Sequence, residues 1–430
     1  MLAILITLDC AREDHVTGPR ALTPCLDAFR AEAVTFSDAH AHTNTTLPSH
    51  VTMMTGMLMP EHGVLDNHCV PSDSHLLLTE ILSGMGVSCA GFVGIQFLEK
   101  LYASKIGGPD PFYDLPSNRL GSKLVRRLGV RGTRRGAGPT AEKALGWIRA
   151  TQEGEGFCWL HLFDTHMDYL AAEKWRRHYG VPEKASERPL DQTLQDQGLV
   201  SYHPVRGERR PLEFYPRLYR AAISYTDEVL GRFFGALKAM GRYDEALIVV
   251  TADHGENLLE HGAYCSHPLL FEETIRVPLV VKFPGRLRRG EEVSVPVGHQ
   301  DLMPTILRHF GAEHPLPRCR DLGDPRGPSS GEEDRALLAF HNRMAQARVR
   351  RGPWFYIENL DLEGVAPQNR ALFANTGLFD LAGSRVENPE VETEMRRLIH
   401  AYLDEAFMEH PPSRLDEADI KEQLQRLGYL

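Results

Sequence analysis

No two of the seven cysteines (10, 25, 69, 89, 158, 265 and 319) stand close enough to form a CxxC pair. That spacing excludes a zinc ribbon and a dithiol redox motif. The odd count, with no export signal, reads as reduced thiols in a cytoplasm. A basic excess is also lacking: 48 Lys and Arg stand against 58 Asp and Glu, for a net charge of −10. General nucleic-acid binding is disfavoured by that balance. No stretch approaches the ~18 apolar residues of a transmembrane segment. The opening MLAILITL has no basic flank and runs straight into Asp9, so it reads as a buried first strand rather than a signal peptide.

The remaining composition, 42% hydrophobic and 25% charged over 430 residues, is that of a globular chain and excludes wholesale disorder or a coiled coil. Short apolar runs at Leu2–Leu8, Val87–Val93, Phe157–Phe163, Ala246–Ala252 and Val277–Phe283 have the look of fully buried parallel strands. Helical stretches separate them, at Pro24–Glu32, Ser49–Met57, Thr140–Thr151, Pro216–Met240 and Asp301–Phe310. The pattern predicts an α/β fold: a large central, mostly parallel sheet flanked by helices. Residues 1–312 form this unit, with insertions near 96–139 and 173–217. The proline- and glycine-rich stretch 313–335 reads as a linker or long loop. Short strands at Ala336–Phe340, Trp354–Glu358 and Gly377–Asp380 and a helix at Val391–Met408 predict a small C-terminal α+β domain over 336–430, closed by a terminal helix. The segment 119–135 holds seven basic residues and no acidic one. It reads as a solvated helix face or loop, or as a basic lid over an anionic substrate or a membrane-surface helix.

Three predicted strands run into an aspartate: Asp9, Asp164 and Asp253. Ligands of open parallel sheets bind outside the carboxyl ends of the strands. Carboxylates converging there repel one another unless a cation intervenes. Asp253 is followed by His254, and Asp164 by His166 and Asp168. Mixed Asp and His donors favour Zn or Mn, with Ca or Mg left open. Each aspartate taken singly is equally explained as a helix cap. A fourth element lies at TTLPSHVTMMTG, where Pro48 suits a first helical turn and Thr45, Thr46 or Ser49 could cap it. A helix N-terminus attracts phosphate or sulfate oxygens. Its dipole contributes ~1 kcal/mol, whereas a metal lowers the pKa of bound water from about 15.7 to about 7. A nucleophilic Thr46 therefore depends on the Asp/His site. His40 and His42 read as structural, His62 as bonding a turn, and His261 as a weak ligand candidate.

Taken in order, ILITLDCAREDH, TTLPSHVTMMTG, EHGVLDN, LFDTHMDY, VVTADHGENLLEHG, FEETIRVPLVV, GHQDLMPTILRHFG, GLFDLAGSRVENPE and DIKEQLQRLGYL resemble the sulfatase branch of the alkaline phosphatase superfamily from residue 4 to the end. The resemblance implies that fold and metal ligation by Asp9, Asp253 and His254. It places Thr46 where sulfatases carry the Cys or Ser that becomes formylglycine. His50 stands where they usually carry Arg, and His267 where many carry a substrate-contacting Lys. Asn67 matches a substrate-contacting Asn. His166 matches the His of an HxPY segment whose Pro is replaced by Asp168.

Formylglycine is an aldehyde, and oxidation of Thr yields only a ketone. The replacement moves the expectation from sulfate to phosphoryl esters, with unmodified Thr46 as nucleophile, a metal ligand and the site of a phosphothreonine intermediate. Diesters and phosphonate monoesters are the favoured substrates. Asn67 and His50 would meet substrate charge, and His166 or His267 would act as general acid. A second cation at Asp164, Asp168, His166 and His267 is left open, so one or two divalent ions are expected. A sulfatase working without formylglycine, a phosphotransferase and a non-catalytic binding protein are the competing readings. The expected partner is a small anionic ester, and homo-oligomerisation is left open.

Overall fold

The structure is a computed structural model. It describes residues 1–69, 75–95, 98, 135–151, 154–201, 205–313, 318–324, 334–363, 365 and 367–409. The basic segment 119–135 apart from Arg135, much of the 313–335 linker, and residues 410–430 lie outside the described residues, whereas the helix expected at Val391–Met408 is present as Pro389–Glu409.

Strand β1 (Leu2–Leu8) is buried at all seven positions. It pairs in parallel over its full length with β5 (Gly156–Leu162) on one side and β6 (Ala246–Ala252) on the other. A strand flanked on both sides and covered on both faces has no polar edge to satisfy, so its sequence is a continuous apolar run. Each such Leu or Ile side chain contributes about 1.5–3 kcal/mol by leaving water. β4 (Ser88–Val93) extends the parallel half beyond β5. Beyond β6 lie β7 (Leu279–Lys282), β2 (Val34–Phe36) and β8 (Glu292–Val293), completing a seven-stranded sheet of order β4-β5-β1-β6-β7-β2-β8. The run expected as a parallel strand at Val277–Phe283 is β7, and it is antiparallel to both neighbours. Apolar content reports burial on two faces and is blind to strand direction.

The helix Phe214–Ala239 packs on Ala137–Ala150 and Pro24–Arg30, while Leu302–His309 packs on Thr46–Thr55 and Leu78–Gly84. Besides the two-stranded pair β3 (Ala39–His40) with β9 (Val297–Gly298), the C-terminal region forms an antiparallel sheet of β10 (Leu337–Phe340), β11 (Gln346–Arg351), β12 (Trp354–Asn359) and β13 (Gly377–Asp380). One apolar cluster joins Phe340, Val349 and Tyr356 to Ile399 and Tyr402 of the helix Pro389–Glu409. Another joins Phe355, Ile357 and Phe379 to Leu269, Leu270 and Phe271. The second cluster buttresses the segment that begins at His267. Strand β11 was not legible as apolar because its QARVRR carries Arg348 and Arg350; both are buried and paired with Glu272 and Asp38.

Candidate active site and metal centre

The carboxyl ends of β1 and β6 deliver Asp9 and Asp253 side by side, both fully buried. Asp253 Oδ1 accepts the backbone N–H groups of Cys10 (3.0 Å) and His254 (2.9 Å). Asp9 Oδ2 lies 3.1 Å from His161 Nε2. Their remaining oxygens, Asp9 Oδ1 and Asp253 Oδ2, have no hydrogen-bond partner. Burial, then the Asp9 charge, pushes the Asp253 carboxyl up. Two buried carboxylates with vacant oxygens are costly unless a cation joins them.

His254 completes that set. Its Nδ1 donates to Gly255 O at 2.9 Å, and a carbonyl only accepts, so Nε2 carries the lone pair. Gly255 is required here, because a Cβ would sit 2.0 Å from Glu273 O. Thr46 Oγ1, on the first residue of the helix Thr46–Thr55, is 3.3 Å from His254 Nε2. That separation matches the edge between two ligands each about 2.0–2.1 Å from a shared tetrahedral ion. Asp9, Asp253 and His254 offer ligand atoms within 4.8 Å of one another. The donor set therefore fits a divalent metal, with Thr46 as the additional oxygen.

Around this set lie further residues. Cys10 forms one group with His254 and His267, and another with Asp9 and His166, each within 4.8 Å. His267 Nδ1 donates to Asn44 O at 2.7 Å and His166 Nδ1 to Met167 O at 2.6 Å. Both bonds set the tautomer so that Nε2 is the basic nitrogen. The two rings are 6.3 Å apart, and the His267 ring lies 4.3 Å from that of His254. Asn67 reaches the edge of the site, where its Oδ1 accepts Leu47 N–H at 2.8 Å.

Several expectations are corrected. Asp164 does not join the cluster among the described residues. Its Oδ2 accepts Ala137 N–H at 2.7 Å, so it caps the helix Ala137–Ala150. Asp168 is also absent from the cluster and lines a cavity of about 340 Å³ with Arg176, Glu208 and Arg210. The proposed second-cation set thus loses both carboxylates and keeps the histidines. His50 stands with His161 and Asp253, their ligand atoms within 4.8 Å of one another. It is fully buried, its Nδ1 donates to Thr46 O (2.7 Å), and its Nε2 lies 3.1 Å from Thr7 Oγ1. Burial drives its pKa down to about 3, so the ring is neutral. Trp159 Nε1–H donates to Thr7 Oγ1 at 3.0 Å. The donors thus run Trp159 to Thr7 to His50 to Thr46.

His62 bonds a turn, accepting Val64 N–H on Nδ1 at 3.0 Å, and His261 pairs with Glu273 at 3.1 Å instead of joining the cluster. Sequence reasoning missed His161 and Glu256. His161 pairs in register with Thr7, and Thr7 with Thr251, so a polar row crosses three apolar strands two residues before the aspartates or their equivalent. The polar residue inside each apolar run, two before the aspartate in ITLD and TADH and three before it in HLFD, was the available signal. Glu256 is fully buried and accepts Tyr169 O–H at 3.1 Å. Burial pushes its carboxyl well above the usual range. All seven cysteines are free. No helix among the described residues is long and apolar enough to cross a membrane.

Comparison with known proteins agrees with this architecture. The multifunctional alkaline phosphatase superfamily protein PehA of Trinickia caryophylli is 24% identical over 393 residues, covering 73% of this chain and 74% of its own. Arylsulfatase K of Danio rerio is 27% identical over 223 residues, 49% of this chain and 41% of its own. The phosphonate monoester hydrolase of Silicibacter pomeroyi superposes with a TM-score of 0.66 at 19% identity, covering 95% of each chain. A structure solved with its substrate D-glucosamine-2-N,6-O-disulfate gives 0.70 at 15% identity, covering 96% of this chain and 99% of the other. These structures share the fold: a mixed, mostly parallel sheet between helices. The family model for sulfatases matches residues 2–312, and the chain belongs to the sulfatase family.

Proposed function

We propose that this protein is a metal-dependent hydrolase of phosphoryl esters, most favourably phosphodiesters or phosphonate monoesters, with Thr46 as nucleophile. The observation that carries the reading is the position of Thr46 Oγ1. It opens a helix, stands 3.3 Å from His254 Nε2, and sits beside two buried carboxylates with vacant oxygens. Asp9, Asp253, His254 and Thr46 would hold a divalent ion, which would supply Lewis acidity to the site.

The residues do the rest. Thr46 Oγ1 attacks phosphorus in line, its bond to phosphorus forms, and the bond to the leaving oxygen breaks. A phosphothreonine results. His267 or His166, each with Nδ1 tied to a carbonyl and Nε2 basic, takes the proton that Thr46 Oγ1 loses and passes it to the leaving oxygen. It then takes a proton from the hydrolytic water, whose oxygen bonds to phosphorus as the Thr46 Oγ1–phosphorus bond breaks, and returns that proton to Thr46. Asn67 anchors Leu47 through Oδ1, leaving its amide N–H groups as donors to a substrate oxygen. The helix N-terminus adds ~1 kcal/mol of anion stabilisation.

The test is a set of initial rates on matched p-nitrophenyl phosphate, phosphodiester, phenylphosphonate and sulfate, after chelation and refilling with Zn, Mn, Mg or Ca. A metal-dependent preference for phosphoryl esters is expected. A sulfate preference would overturn the phosphoryl assignment. It would favour a sulfatase acting without formylglycine, a reading supported by the arylsulfatase relative and the sulfated ligand of one structural neighbour.

A further inference from the structure

Cys10 occupies a place that the metal set above does not explain. Its side chain is fully buried, and its Sγ lies within 4.8 Å of ligand atoms of Asp9, His166, His254 and His267. The backbone holds it there from both sides. Cys10 N–H donates to Asp253 Oδ1 at 3.0 Å, and Cys10 O accepts Tyr219 O–H at 2.7 Å. The residue adopts φ +56°, a left-handed conformation uncommon outside glycine. The vacant oxygens of Asp9 and Asp253, both fully buried, independently mark a cation position next to it.

We propose that Cys10 Sγ is itself a ligand of the metal centre and makes it a zinc-type site. The inference rests on the reading that Asp9, Asp253 and His254 hold a metal. Coordination releases the thiol proton to solvent and forms a sulfur–metal bond, with no change in oxidation state. Thiolate is a soft ligand: it favours zinc over magnesium and calcium, which prefer oxygen. The three charges of Asp9, Asp253 and a Cys10 thiolate exceed those of one divalent ion. His166 and His267, each in a group with Cys10, add neutral donors rather than further charge.

Cobalt(II) is the probe, because it reports its ligands by absorption. The full chain is stripped with chelator, refilled with Co(II) and compared with Cys10→Ser and Cys10→Asp. The expected result is a thiolate-to-cobalt charge-transfer band in the near ultraviolet, together with visible d–d bands. In Cys10→Ser the ultraviolet band disappears while the d–d bands persist. Cys10→Asp restores a charged oxygen ligand at the same place and guards against simple misfolding. Its affinity for zinc relative to magnesium falls by about 10–100-fold. If the wild-type protein shows d–d bands without the charge-transfer band, the Cys10 proposal is overturned while the metal centre stands. If it binds no cobalt, both fall. If the band survives in Cys10→Ser, another thiol is the ligand and the proposal is overturned.

Discussion

His50 Nδ1 donates to the carbonyl oxygen of Thr46 at 2.7 Å, one helical turn beneath the hydroxyl proposed to attack substrate. The ring fills the space between Trp159 and His161, with centroids 5.0 and 5.1 Å away. Burial outweighs the pull of the nearby Asp253 carboxylate, and the ring stays neutral. His50 is therefore a positioning residue. His50→Ala is expected to lower kcat by about 10–100-fold, with KM and metal content nearly unchanged, because a small misplacement of the nucleophile is costly. Steady-state kinetics paired with elemental analysis checks this. A loss confined to metal content would contradict it.

Thr46 itself separates the chemical readings. Thr46→Ala should reduce turnover by at least about 10³-fold, since removing a nucleophile leaves only binding and electrostatic stabilisation. Thr46→Ser keeps the hydroxyl and should retain activity within about tenfold, the β-methyl having no role in attack. Rapid-quench mass spectrometry of the wild-type protein should find a phosphoryl group on the peptide containing Thr46. Full activity in the Ala variant would sink the covalent route.

The parts of the site legible in the sequence were those tied to strand ends. Asp9 and Asp253 follow β1 and β6, whose registers are continuous with each other. Asp164 looked equivalent in sequence, yet it lies one residue further beyond β5 than Asp9 does beyond β1 and turns to the N-terminus of Ala137–Ala150. One residue of offset turns a side chain from one face to the other. His50 was expected at the substrate because it stands where the resembling sulfatases usually carry Arg, but every residue of Thr46–Thr55 is buried. Strand β11 was invisible because its arginines are buried through ion pairs with Asp38 and Glu272, both remote in sequence. Long-range pairing of that kind leaves no local periodicity.

Acid should destabilise this protein through its buried neutral histidines. Burial holds His50, His62 and His299 each at about 3, whereas an unfolded His titrates near ~6.5. Below that value the unfolded chain takes a proton that the native one refuses. The stability they confer is complete above ~6.5 and is lost as pH falls toward 3, at about 1.4 kcal/mol per pH unit for each. His62 lies outside the metal cluster. Replacing it in His62→Gln should flatten the pH dependence of the urea midpoint between pH 6 and 4 by about one proton. An unchanged slope would show that His62 protonates in the native state.

Asp9→Asn should move stability in opposite directions with and without metal. In the stripped protein, Asp9 and Asp253 are two buried charges in contact with the same small space, and each has an oxygen with no donor. Removing one charge relieves that repulsion, so the metal-free variant should unfold at a higher temperature than the metal-free wild type. Refilled protein should behave in the reverse way. Metal present at about 1,000 times its Kd stabilises the native state by about 4 kcal/mol, and the variant, one carboxylate short, forfeits much of it. Paired thermal scans of both proteins, with chelator and with zinc, give four melting temperatures. The crossing of their order is the signature. If Asp9→Asn lowers the melting temperature equally in both conditions, Asp9 is a structural acceptor for His161 and not a metal ligand.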